Sequence, residues 1–88
     1  MTPSPEFLKK FDSLPLGAYG ATAHGLRWRM TKQVVANGRS QKLEAEELGG
    51  NGYISFNLYR LATGQSILNP CEMPANTVID FVMAVLPD

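Results

Sequence analysis

Residues 26–36 alternate with a period of two and run directly into Asn37-Gly38. Leu26, Trp28, Met30 and Val34 point one way; Arg27, Arg29, Thr31 and Gln33 point the other. That period is the signature of a half-buried strand, and Asn-Gly is the strongest short hairpin signal because both residues tolerate positive φ. With Asn37 and Gly38 at the centre of the turn, Ala36 faces Arg39, Arg29 faces Glu46, Met30 faces Ala45 and Thr31 faces Glu44. Leu43 and Ala45 then join Trp28 and Met30 on the apolar face, and Arg29 meets Glu46 on the polar face. Turn, pattern and charge agree. Residues 40–48 also read as a helix, being good helix formers with Ser40 as a possible cap and Gly49 as a stop. Cross-strand consistency favours the strand.

The flanking segments complete the fold. Ser4-Pro5-Glu6 is a helix start: a capping hydroxyl, a proline suited to the first turn and an acid at the positive end of the dipole. Phe7, Leu8, Phe11 and Leu14 form its apolar face, and Pro15 stops it. Residues 16–25, rich in Gly and Ala, read as a connection with room for a short edge strand. Residues 49–52 form a turn. Residues 53–61 form a strand with Ile54, Phe56 and Leu58 inward and Ser55, Asn57 and Tyr59 outward. Ala62-Thr63-Gly64 turns the chain into a short last strand at 65–69. Pro74 opens a second helix with an apolar face of Ala75, Val78, Ile79, Val82, Val85 and Leu86. Phe81 and Met83 lie off that stripe, and Pro87 ends the helix. The expected class is α+β: an antiparallel sheet of three to four strands with one N-terminal and one C-terminal helix packed on one face, in the order α-β-β-β-β-α. Residues 1–88 form a single domain, with residues 1–3 frayed.

Composition narrows the function classes. Eight basic and eight acidic residues give zero net charge, which argues against a dedicated nucleic-acid or membrane-surface binder. One cysteine, Cys71, cannot form an internal disulfide, which suits a reducing cytoplasm. No signal-peptide pattern opens the chain, and the longest apolar run, 81–86, is far too short to span a bilayer.

Few residues carry chemistry. His24 and Cys71 are each the only residue of their kind, so a structural zinc site lacks ligands. The acids Glu44, Glu46 and Glu47 lack the alternating oxygen pattern of a calcium loop. The glycines of residues 49–52 run into a strand with no basic residue, so they are a turn and not a phosphate loop. Cys71 with His24 is the only conceivable nucleophile–base couple. Cysteine is among the most buried residue types, so a structural thiol is the expectation. No metal and no cofactor are expected.

Surfaces are more informative. Arg27, Arg29, Lys32, Arg39 and Lys42 fall in a stretch without a single acid, residues 13–43, with Trp28 among them. This resembles a nucleic-acid surface, but alternation puts Trp28 opposite Arg27 and Arg29. Two short helices cover only one side of a sheet, so Arg27, Arg29, Thr31, Gln33, Asn57 and Tyr59, with Glu44, Glu46 and Ser55, stand on an open face. The reading is a small non-enzymatic protein-interaction module, adaptor or inhibitor in type. It docks on a larger protein or a second copy through that face, the last strand or the C-terminal helix. The alternatives are a nucleic-acid-binding domain using the basic 27–42 hairpin, and a thiol enzyme or redox switch at Cys71.

Overall fold

A computed structural model describes residues 1–88. The chain forms α1 (Pro5–Ser13), β1 (Gly17–Ala23), β2 (Leu26–Val35), β3 (Ser40–Glu47), β4 (Tyr53–Arg60), β5 (Ser66–Pro70), α2 (Ala75–Ala84) and β6 (Leu86–Pro87). The strands make one antiparallel sheet in the order β5-β4-β3-β2-β1-β6. The α+β class and the antiparallel sheet flanked by two helices are as the sequence leads one to expect. The sheet is wider than four strands. Residues 17–23 pair along their whole length with β2, from Gly17↔Lys32 to Ala23↔Leu26, and β6 adds a short strand outside β1.

The central hairpin has the expected register: Met30↔Ala45, Thr31↔Glu44 and Arg29↔Glu46. Asn37 and Gly38 take φ of 58° and 87°, and Arg39 N–H donates to Ala36 C=O at 3.1 Å. These are the left-handed central positions of a type I′ turn. Residues 40–48 resolve in favour of the strand, because β3 is paired on both sides, to β2 and to β4. Sheet pairing overrides local helix propensity there.

The apolar sides of the strands meet both helices. Phe7, Phe11 and Leu14 of the α1 region, Val78, Phe81, Val82 and Val85 of the α2 region, and Trp28, Met30, Leu43, Ala45, Ile54, Phe56, Leu58 and Leu68 of the sheet form one buried cluster. Phe7, Phe11 and Phe56 gather with ring centroids 5.7 to 6.2 Å apart. Ser4 Oγ accepts from Phe7 N–H at 3.1 Å, capping α1 as expected.

Two expectations need correction. Phe81 is not off the apolar stripe: it is buried and meets Trp28 edge-on at 4.9 Å, because the helix face that packs is 78-81-82-85. Leu86 leaves that face, since α2 ends at Ala84 and Leu86 is exposed in β6. Residues 1–3 lie against β5: Leu68 N–H donates to Met1 C=O at 2.7 Å, the Met1 ammonium donates to Leu68 C=O at 3.3 Å, and Pro3 is buried.

Lys32 changes the picture of the basic stretch. It sits on the apolar side of β2, only 3% exposed, and donates to the carbonyls of Phe11 and Leu14 at 2.7 and 2.9 Å. Lys10 does the same for the other helix, donating to Val85 C=O at 2.6 Å and Met83 C=O at 3.3 Å. Each lysine closes the C-terminal end of a helix, where unpaired carbonyls and the negative end of the dipole both favour a cation. Desolvation by burial lowers the pKa of both lysines; at Lys32, Asp12 acts against it and Arg60 with it.

Candidate functional site

The face opposite the helices is bare, and the strand register lays it out in rows. Across β5, β4, β3 and β2, the first row is Ile67, Tyr59, Ser40 and Val35. The next is Asn69, Asn57, Lys42 and Gln33. A third runs from Ser55 through Glu44 and Thr31 to Ala18 on β1, and a fourth from Tyr53 through Glu46 and Arg29 to Gly20. Beyond it, Arg27 pairs with Thr22 and Thr22 with Leu86. All six residues singled out from the sequence, Arg27, Arg29, Thr31, Gln33, Asn57 and Tyr59, therefore share this face.

Its parts differ in character. The end near the hairpin turn is apolar, with Val35, Tyr59 and Ile67 all exposed. The second row carries three carboxamides and one lysine. Lys42 reaches Glu44 at 3.9 Å. Toward the other end, Tyr53 Oη donates to Glu44 Oε2 at 3.1 Å. Ser55 and Ser40 are the buried residues of this face. Between Arg29, Thr31, Glu44 and Glu46 lies a shallow dent of about 140 Å³.

Arg27 is paired within the chain while its side chain stays half exposed. Its Nη1 and Nη2 donate to Asp88 Oδ1 and Oδ2 at 2.7 and 2.6 Å, and Nη1 donates to Thr22 Oγ1 at 2.9 Å. The planar fork matches the carboxylate bidentately. The same pair raises the Arg27 pKa and lowers that of Asp88, in each case chiefly through the side-chain hydrogen bond. Sequence reasoning missed this clamp, because nothing local signals that Asp88 returns to β1.

The five cations of the acid-free stretch do not form one surface. Lys32 is inside, Arg27 is clamped, Arg29 faces Glu46, Lys42 lies by Glu44, and Arg39 stands past the end of β2 in the hairpin. Trp28 is buried, its Nε1 donating to Ala23 C=O at 3.4 Å, so it offers no ring for a base.

His24 and Cys71 are not brought together. His24 occupies the β1–β2 turn with φ of 52° and lines a cleft with Trp28, Asp80 and Phe81 on the helix side. Cys71 lies on the open face, half-buried, where Asn57 Nδ2 approaches its Sγ at 3.8 Å. No group of three or more His, Cys, Asp or Glu is placed to hold a metal ion. No helix is long and apolar enough to cross a membrane.

The other docking candidates are narrower. Met1 occupies the middle of the β5 edge at Leu68, which shortens the backbone free for a partner strand. On α2, Met83 is the large apolar side chain left exposed. Comparison of the chain with protein-family models, with curated proteins and with solved structures finds no match.

Proposed function

We propose that this chain is a non-enzymatic protein-interaction module that docks through the open face of its sheet. The observation that carries the reading is the trio of exposed apolar side chains Ile67, Tyr59 and Val35, in one row with the buried Ser40 and bordered by the carboxamides of Asn69, Asn57 and Gln33. Apolar side chains with uncharged hydrogen-bonding groups beside them are the composition of a protein-binding patch, and tyrosine is enriched among the residues that dominate its binding energy. Farther along, Lys42 lies by Glu44 and Arg29 stands opposite Glu46, a mixed-charge stretch that fits a polar rim. The partner is a larger protein or a second copy of the chain.

The test is capture of partners from native host extract after nuclease treatment, with size-exclusion light scattering on the pure protein. A Gln33→Glu/Tyr59→Glu double variant serves as the comparison. Glu at 33 faces Lys42, so the fold keeps a favourable cross-strand pair. A stoichiometric protein partner or a dimer seen with the wild type and lost in the variant is the expected result. A monomer that retrieves no protein, or a complex the variant retains, would overturn the reading. Recovery that depends on nucleic acid and falls steeply with salt would replace it with nucleic-acid binding.

A further inference from the structure

Just past the last pairs of β3 and β4, Arg39 and Arg60 stand opposite each other, with Arg60 N–H donating to Arg39 C=O at 2.8 Å. Like charges facing across antiparallel strands repel. Arg60 is matched: its Nη2 bonds Asp12 and, at 3.2 Å, Gln41 Oε1. The Asp12 carboxylate also acts on buried Lys32. One acid thus serves two cations, and Arg39 has neither a side-chain hydrogen bond nor an ion pair. Beside Arg39 and Arg60 lies a notch of about 420 Å³ whose remaining walls are Tyr59, Leu61 and Ala62. The notch is half open to solvent and offers three apolar residues beside two guanidinium groups.

We propose that this notch binds a carboxylate joined to an apolar body. Arg39 takes the carboxylate through its planar fork, and the body lies against Leu61, Ala62 and the Tyr59 ring. The carboxylate belongs either to a free organic acid or to an acidic side chain of a protein with an apolar neighbour. The site stands apart from the open-face reading, sharing only Tyr59 with it, and its test uses neither partner capture nor oligomeric state.

The experiment is a titration of the ¹⁵N-labelled full chain with benzoate, with the capped dipeptide acetyl-Glu-Leu-amide and with inorganic phosphate, repeated on Arg39→Gln. Arg39 is exposed in a turn, and a thermal melt checks that the variant folds. The expected result is saturable shifts centred on Leu61, Ala62 and the Arg39 side chain with benzoate or the dipeptide. Affinity should fall about tenfold in Arg39→Gln, as for the loss of one charge-assisted pair. Tighter binding of benzoate supports the site with a free acid as its ligand; tighter binding of the dipeptide supports it with a protein side chain. Shifts that do not saturate, that centre elsewhere, that persist unchanged in Arg39→Gln, or that phosphate reproduces at equal affinity would overturn it.

Discussion

Lys32 and Phe11 are joined twice. The ammonium donates to the Phe11 carbonyl at 2.7 Å and lies 4.2 Å from the centroid of the same residue's ring. A cation beneath a helix end and over an aromatic face satisfies both the last carbonyls and the ring quadrupole, so a buried charge becomes a tie between α1 and β2.

Removing that tie destabilises the fold. Lys32→Ala leaves two carbonyls without their donor and a void where the stem lay, at a cost of about 2–4 kcal/mol. Lys32→Met keeps the volume and removes the buried charge, so it loses less. Urea midpoints for the two variants, with unchanged slopes, check the order.

The same burial gives an alkaline signature. Desolvation lowers the Lys32 pKa, so the folded protein releases this proton at lower pH than the unfolded chain, whose lysines titrate at about 10.4. Between those values the unfolded state binds more protons, and stability rises with pH. Wild type should therefore gain on Lys32→Met as pH climbs from neutrality toward that limit. Lys10, shifted in the same direction, and Tyr19, whose pKa burial raises, are present in both proteins and cancel from the difference. Paired urea titrations at several pH values supply the measurement; a flat difference would count against the buried ammonium.

The Arg27–Asp88 clamp answers to acid. The Asp88 pKa is lowered in the fold, so its contribution is fully present above the ordinary carboxylate value of about 4 and disappears as pH falls through the lower folded value. The advantage of wild type over Asp88→Asn should shrink across that range and vanish below it. Both groups are exposed, so the effect is small and weakens with salt.

Gly52 is a packing requirement of the indole. A Cβ at this position would lie 2.7 Å from Trp28 Cη2 and 2.6 Å from Glu47 Oε1. Gly52→Ala must move the ring or the turn, and should cost about 1–3 kcal/mol as overpacking does. Trp28 is the only tryptophan, so its emission spectrum reports the displacement directly.

Local chemistry carried much of the fold in readable form. Asn37-Gly38 set the register of β2 on β3, Ser4 and Pro5 marked the start of α1, and the alternation in β4 assigned Phe56 and Asn57 to opposite faces. What stayed hidden depended on distant partners. β1 is built mostly from Gly and Ala, which have weak strand preference, and pairing with β2 makes it a strand. Lys32 broke the apolar run of β2 because its tip reaches carbonyls that only the folded chain puts there. The open face was legible from period two alone. The Asp88 clamp on Arg27 and the Arg39–Arg60 notch were not, since each joins residues far apart in the chain.

Met1 lies against β5 at one edge of the sheet, and β6 lies at the other. With about 4.8 Å between strands, β5 and β6 are some five steps, or about 24 Å, apart across the sheet. Along the strands the two ends are also offset, since the register carries Met1 to the level of Val34 and Asp88 to that of Arg29. A load drawn between residue 1 and residue 88 would therefore run obliquely to the sheet, pulling partly across the hydrogen-bond ladders and partly along them.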